Sequence, residues 1–261
     1  MSIMNQSNII WITGGSSGIG RSLALKMARN GNKVAVTARS RDKLNELEKL
    51  SESMEGSIHA YQGDVTDTKM MQNIVDDIES RLGAIDLAIL NAGTYIPDTI
   101  DTFTTGNFEH HCRINLIGTA NSLAPVIRKM RERKNGHLAI VASVAGYRGL
   151  PRSMSYGPTK AALINMAEAL AIETLDDGIK VQVINPGFVE TPLTEQNDFE
   201  MPFIIDSEKA ADYILNGLES ARFEIGFPWQ MTTLLKSIGK LPARWYFRLV
   251  KKATSSQMNK S

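Results

Sequence analysis

The stretch "NIIWITGGSSGIG", residues 8–20, sets an apolar run directly against a glycine-rich turn and the start of a helix. Aliphatic and β-branched residues in such a run read as a strand buried on both faces. Gly14 permits the tight turn out of the strand. Gly18 and Gly20 remove side chains where backbone must approach a neighbour or a ligand. The spacing is G-x-x-x-G-x-G, not the commoner G-x-G-x-x-G. It leaves the first N–H groups of the helix exposed, and such a helix start attracts phosphate. Glycine is also ordinary wherever a strand turns into a helix, so the reading depends on what surrounds it.

Outward from this stretch the pattern repeats. Apolar runs at 8–13, 33–38, 57–65, 85–93, 136–143, 179–187 and 221–228 read as seven strands. Helical periodicity at 18–30, 41–54, 67–82, 107–133, 156–176 and 207–219 follows six of them. Strands alternating with helices call for parallel pairing and right-handed crossovers. The expected fold class is α/β: one doubly wound, seven-stranded parallel sheet with helices on both faces.

Composition narrows the function. The 261 residues are 43% hydrophobic, ample for one sizeable core. A net charge of +1 gives no global argument for nucleic acid, and no such partner is expected. The single cysteine, Cys112, excludes an internal disulfide framework and suits a reducing cytoplasm. The N-terminus lacks a basic region followed by a long apolar run, so no targeting segment is expected. No apolar stretch is long enough for a spanning helix. His59, His110, His111 and His137 show no metal-ligand spacing and read as structural or solvated; no metal is expected.

A second signal lies in "SMSYGPTKAAL", residues 153–163, where Tyr156 and Lys160 stand one helical turn apart on one face. The pair is either a surface contact or a tyrosine tuned by a cation. At ~4 Å and an effective dielectric near 20, a unit charge contributes roughly 4 kcal/mol before desolvation. That is enough to make a phenol a usable acid or base near neutral pH. Ser143, at the end of the fifth strand, is either a donor to a substrate oxygen held near the phenol or a structural strand-end residue.

Taken together, "TGGSSGIG" (13–20), "NAG" (91–93), Asn115, Ser143, "YGPTK" (156–160) and "NPGFVET" (185–191) resemble the short-chain dehydrogenase/reductase family over roughly residues 8–228. The resemblance implies a one-domain Rossmann fold with cofactor and substrate sites on the same domain. It implies a nicotinamide cofactor held by Gly14, Ser16, Ser17, Gly18, Ile19 and Gly20 at the first turn. Asp64 and Val65 would meet the adenine; the alternative for Asp64 is a cap for the helix starting near Thr66. Asn91, Ala92 and Gly93 would lie along the cofactor, and Pro186, Gly187, Val189 and Thr191 would frame the nicotinamide. The catalytic set would be Ser143, Tyr156, Lys160 and Asn115. Lys160 would also bond the nicotinamide ribose, and the backbone carbonyl of Asn115 would hold a water linking Lys160 to solvent. Asparagine is a mediocre helix-interior residue, so a distorted turn is expected there.

The second strand ends "VAVTARSR". Ala38 occupies the place of the aspartate that would accept hydrogen bonds from both adenine ribose hydroxyls. Arg39 follows, with Arg41 nearby, and a guanidinium grips a 2′-phosphate. NADP(H) is therefore expected; otherwise Arg39 is a solvated loop residue. The implied reaction is hydride transfer between nicotinamide and a carbonyl or secondary alcohol, in the direction of reduction. The alternative is a cofactor-binding regulatory protein without turnover.

Loops 94–100, 144–154 and 188–203 carry Tyr95, Ile96, Tyr147, Leu150, Met154, Phe188, Leu193, Phe199 and Met201, which suit a hydrophobic carbonyl substrate. The dehydrogenase domain is expected to span 1–228, followed by a basic amphipathic extension over 229–261. In that extension Lys236, Lys240, Arg244, Arg248 and Lys252 recur every four positions, Gly239 can close one helix and Pro242 can open another. It would either pack over the site or at a dimer interface, or touch an anionic membrane. The resemblance and the small residues of "KAALINMAEALAIE" point to a homodimer or homotetramer.

Overall fold

The computed structural model describes residues 7–197 and 199–258. Four strand–helix units come first: β1 (Ile9–Thr13) with α1 (Gly18–Arg29), β2 (Lys33–Ala38) with α2 (Arg41–Ser51), β3 (Ser57–Gln62) with α3 (Thr68–Arg81), and β4 (Leu87–Leu90) with α4 (Thr105–His111). A π-helical turn at Cys112–Ile117 carries α4 into α5 (Gly118–Glu132). Then come β5 (Gly136–Val141), a 3-10 turn at Val144–Gly146, α6 (Tyr156–Glu173), β6 (Ile179–Pro186), α7 (Ser207–Glu219) and β7 (Glu224–Phe227). Two further helices, α8 (Trp229–Gly239) and α9 (Ala243–Met258), follow.

The sheet is seven-stranded and parallel, in the order β3-β2-β1-β4-β5-β6-β7. The α/β class and doubly wound sheet expected from the sequence are found. Strand residues alternate between faces. On β1, Ile10 and Ile12 pack with Leu23, Met27 and Ile214, while Trp11 faces Ile78, Val126 and Leu138 on the other side. Trp11 is fully buried, and its indole Nε1 donates to Thr37 Oγ1 at 2.9 Å.

The strands are shorter at their carboxyl ends than the apolar runs foretell. β3 stops at Gln62 and β4 at Leu90, so Asp64, Val65, Asn91, Ala92 and Gly93 lie on loops. The chain crosses from one half of the sheet to the other between β3 and β4, and loops at that switch point diverge, leaving a crevice.

The helix expected over 107–133 begins at Thr105, where Thr104 caps it by accepting from Asn107 N at 3.1 Å, and it is interrupted. The π turn is centred on Asn115, which is fully buried. Its side chain accepts from Thr94 N at 2.8 Å and donates to Thr94 O at 3.1 Å and to Thr159 Oγ1 at 3.0 Å. The wider turn lets the amide leave the helix and join two other segments, a recurrent use of π-bulges.

His137 lies buried between β5 and β6. Gln182 donates its amide N–H to the carbonyls of Gly217, Ser220 and Arg222, which leaves its oxygen to accept from His137 Nε2 at 2.8 Å. Burial first, then the Lys180 charge, pushes the His137 pKa down to about 4. A histidine held neutral by the fold contributes stability above its unfolded pKa of about 6.5, and that contribution is lost as pH falls towards about 4. Thermal melts from pH 7 to 4 should show wild type losing up to about 3 kcal/mol more than His137→Gln; parallel curves would refute this.

Candidate active site

A cleft of about 350 Å³ opens over the carboxyl ends of β1, β4 and β5. Every expected catalytic and cofactor-binding residue lines it except Gly20 and Asn115. Those two lie behind the wall. A Cβ on Gly20 would sit 2.6 Å from the Gly14 carbonyl and 2.7 Å from Asn91 Nδ2, so only glycine fits where α1 crosses the sheet. Gly14 and Gly18 adopt φ of +66° and +51°, the left-handed region that glycine takes without strain.

The glycine loop is held by one polar junction. Asn91 Nδ2 donates to Thr13 O at 3.1 Å and Gly14 O at 3.0 Å. The backbone N–H groups of Asn91 and Ala92 both donate to Thr13 Oγ1. Ser17, the N-cap residue of α1, makes no side-chain capping bond, so no cap covers the first-turn amides that face the cleft. That is the donor set a pyrophosphate needs. Across the cleft from the loop, Gly93 is closely bordered: a Cβ there would lie 3.3 Å from Asn115 Oδ1 and 3.5 Å from Lys160 Nζ.

At the far end of β2, Arg39 is exposed on the rim. Asp64 faces it. Burial opposes ionisation of Asp64, but two hydrogen bonds from Thr66 and the Arg39 charge outweigh it and hold the carboxyl below its usual range. Asp64 is not the helix cap: Asp67 caps α3, accepting from Met70 N at 2.9 Å. The cradle, the uncapped amides and the rim arginine fit a dinucleotide carrying an extra phosphate.

Ser143, Tyr156 and Lys160 meet at the other end. Ser143 Oγ accepts from Ala145 N at 3.1 Å, which starts the 3-10 turn after β5. Lys160 is 4% exposed, and its ammonium donates to Val141 O at 3.0 Å. It lies 5.5 Å from the centroid of the Tyr156 ring. The electrostatics run opposite to the expectation from spacing. Burial pushes the Tyr156 phenol up to about 12, and a hydrogen bond between the Ser143 and Tyr156 hydroxyls offsets only part of this. Burial pushes Lys160 down to about 8. Sequence spacing gives the separation of the pair but not the desolvation, and here desolvation is the larger effect.

Two residues stand beside Tyr156 that the sequence does not place there. Tyr95 packs edge-on against it at 4.9 Å, and His111 at 6.4 Å. His111 is fully buried; its Nε2 accepts from Ile96 N at 3.0 Å, which sets its Nδ1–H on Asn107 O at 2.8 Å. Of the expected substrate-loop residues, Leu193 lines the cleft and Phe188 packs on Phe199. Tyr147 does not face the cleft. Its hydroxyl donates to Glu224, a partner 77 residues away that also pairs with Lys236.

A cleft at the switch point, with a glycine cradle at one end and Ser, Tyr and Lys side chains at the other, defines a dinucleotide-dependent enzyme of the Rossmann type. The family model described as short chain dehydrogenase matches residues 8–201. An uncharacterized oxidoreductase of Myxococcus xanthus is 32% identical over 231 residues, 88% of this chain and 91% of that protein. A 3-oxoacyl-(acyl-carrier-protein) reductase of Thermotoga maritima is 30% identical over 218 residues, 84% of this chain and 85% of its own. The solved structure of ElxO with NADP bound superposes with a TM-score of 0.75 at 27% identity, covering 85% of this chain and 96% of that one. The chain belongs to the short-chain dehydrogenase family, a family of oxidoreductases that use a nicotinamide cofactor.

One buried group near the site escaped the sequence reading altogether. Asp98, 1% exposed, accepts from Ser155 N at 3.2 Å and from the Ser155 hydroxyl. It thereby fastens the residue before Tyr156 at the start of α6. Asp98→Ala should cost about 2 kcal/mol, read as a Tm loss of roughly 4–8 °C. Turnover should fall with KM little changed, and Asp98→Asn should restore part of both. Unchanged Tm in the alanine variant would show the contact to be idle.

Proposed function

We propose that this chain is an NADP(H)-dependent reductase of a hydrophobic ketone or aldehyde. It is reversible as oxidation of a secondary alcohol, and it works in the cytoplasm as a homodimer or homotetramer. The observation that carries this reading is the arrangement of Ser143, Tyr156 and Lys160 at one end of a cleft whose other end holds the glycine cradle and Arg39.

The residues present fit the cofactor. The amides at the start of α1 would take the pyrophosphate, and Arg39, with Ala38 in place of a carboxylate, would take the 2′-phosphate. Asp64 and Val65 would border the adenine, Asn91, Ala92 and Gly93 the middle of the molecule, and Pro186, Gly187, Val189 and Thr191 the nicotinamide. NADP bound in the ElxO structure supports this choice. When bound, the cofactor supplies hydride to the carbonyl carbon. Tyr156, with its phenol near 12, keeps its proton at neutral pH and acts as the acid that protonates the carbonyl oxygen. Ser143 donates a hydrogen bond to that oxygen. Lys160, titrating near 8, exchanges a proton close to neutral pH and recharges the tyrosine. The Asn115 carbonyl, which accepts from Thr119 Oγ1 at 2.7 Å, would hold a water on this path.

Apolar side chains around the loops, among them Phe188, Phe199 and Leu193, support a hydrophobic substrate. The Thermotoga maritima relative, named for an acyl-chain carbonyl, supports the same class. Exposed Ile117, Ile172 and Leu175 on the α5–α6 side support self-association.

Tyr156→Phe should lower turnover by on the order of 10²–10⁴ while leaving NADPH binding intact; near-normal turnover would reject the role. Arg39→Asp should weaken NADP⁺ relative to NAD⁺ by at least about tenfold in parallel titrations. An unchanged ratio would reject the cofactor assignment.

A further inference from the structure

The segment after Glu224 holds seven of the chain's 29 Lys and Arg residues and none of its 28 acidic ones. Charge segregated this sharply at one end of a nearly neutral chain needs a reason. Of these cations, Lys236 pairs with Glu224. On α9, Arg244, Arg248 and Lys252 form one exposed stripe at one-turn spacing. Trp245, 61% exposed, stands on one flank of the stripe and Phe247, 64% exposed, on the other. Trp229, at the start of α8, is 65% exposed. Large aromatics left exposed in this way are unusual on a soluble surface, and basic residues flanked by Trp and Phe match the headgroup zone of a bilayer.

The same tail is fastened to the site. Arg148 donates to Gly239 O at 2.6 Å and to Leu241 O at 2.7 Å, and its guanidinium lies 4.0 Å over the Tyr246 ring. Tyr246, buried to 2% exposure, donates its hydroxyl to Gly149 O at 2.8 Å. With Tyr147 on Glu224, three consecutive loop residues between Ser143 and Tyr156 are tied to the tail or its root. On the opposite wall, α8 packs Met231 so close to the cleft residue Gly187 that a Cβ there would lie 2.8 Å from its sulfur.

We propose that the α8–α9 face docks on an anionic lipid surface and that the substrate is a carbonyl carried by a membrane lipid. The substrate clause rests on the reductase reading; the docking clause does not. A second copy of the chain suits this face poorly, because a two-fold contact would set Arg244, Arg248 and Lys252 against their own counterparts.

The test is co-sedimentation with vesicles, using the full chain. Phosphatidylglycerol/phosphatidylcholine vesicles should bind it, with a blue shift of tryptophan emission, and binding should fall in high salt. Pure phosphatidylcholine should bind it weakly. The triple variant Arg244→Glu, Arg248→Glu, Lys252→Glu should lose at least about 100-fold in affinity. The double variant Trp245→Ser, Phe247→Ser should reduce the emission shift. Both should keep wild-type NADPH binding and reduction of a short soluble ketone, which shows them folded. Equal binding to both vesicle types, or no binding, overturns the docking surface. So does a dimer in solution that the double variant abolishes. Vesicle binding without reduction of any carbonyl would instead overturn the reductase reading.

Discussion

The site exists because β1 and β4 part company at the switch point, and one asparagine bridges the gap. Asn91 spans from β4 to the carbonyls of Thr13 and Gly14, while Thr13 Oγ1 accepts from the two backbone amides after β4. This exchange satisfies polar groups that the ending strands leave without ladder partners. It also fixes where the glycine loop leaves β1, and hence where α1 aims its amides. Gly20 must lack a side chain for the bridge to form, since a Cβ would meet Asn91 Nδ2 at 2.7 Å. The glycine pattern therefore serves the clamp as much as any ligand.

From that clamp the cleft runs to a second constraint, a buried lysine set behind a half-buried tyrosine. Desolvation moves both towards their neutral forms: the phenol up to about 12, the ammonium down to about 8. A tyrosine so placed is an acid that holds its proton until a developing negative charge takes it. A lysine so placed sits near the pH where it can give or accept one. In the proposed reaction the pair would divide the work of proton transfer by environment, one group storing the proton and the other exchanging it.

What was legible in the sequence was local. The first turn, the strand–helix alternation, the Tyr156–Lys160 spacing and even the distorted turn at Asn115 follow from residues within a few positions of one another. What stayed hidden depends on long closures. Asp98 reads as one acid in an apolar loop until the fold brings Ser155, 57 residues on, against it. Tyr147 reads as a substrate contact until Glu224 claims its hydroxyl. The direction of the Tyr156 shift is hidden for a related reason: spacing reports which charges are close, and burial is set by everything else that packs around them.

These long closures bear on how the site is held. The loop from Ser143 to Tyr156 carries one proposed catalytic residue at each end, yet its own sequence, rich in glycine and small residues, has little to fix it. Its stiffness comes from outside. Asp98 and Ser155 pin the end nearer α6, while Arg148, Tyr246 and the Tyr147–Glu224–Lys236 group pin the middle to the C-terminal helices. An element joined to the site this firmly cannot be displaced without moving the loop, because packed neighbours shift together. A displacement of α8 or α9 would therefore be felt in the loop that joins Ser143 to Tyr156. That links the charge segregation of the last helices to the chemistry of the cleft through named contacts.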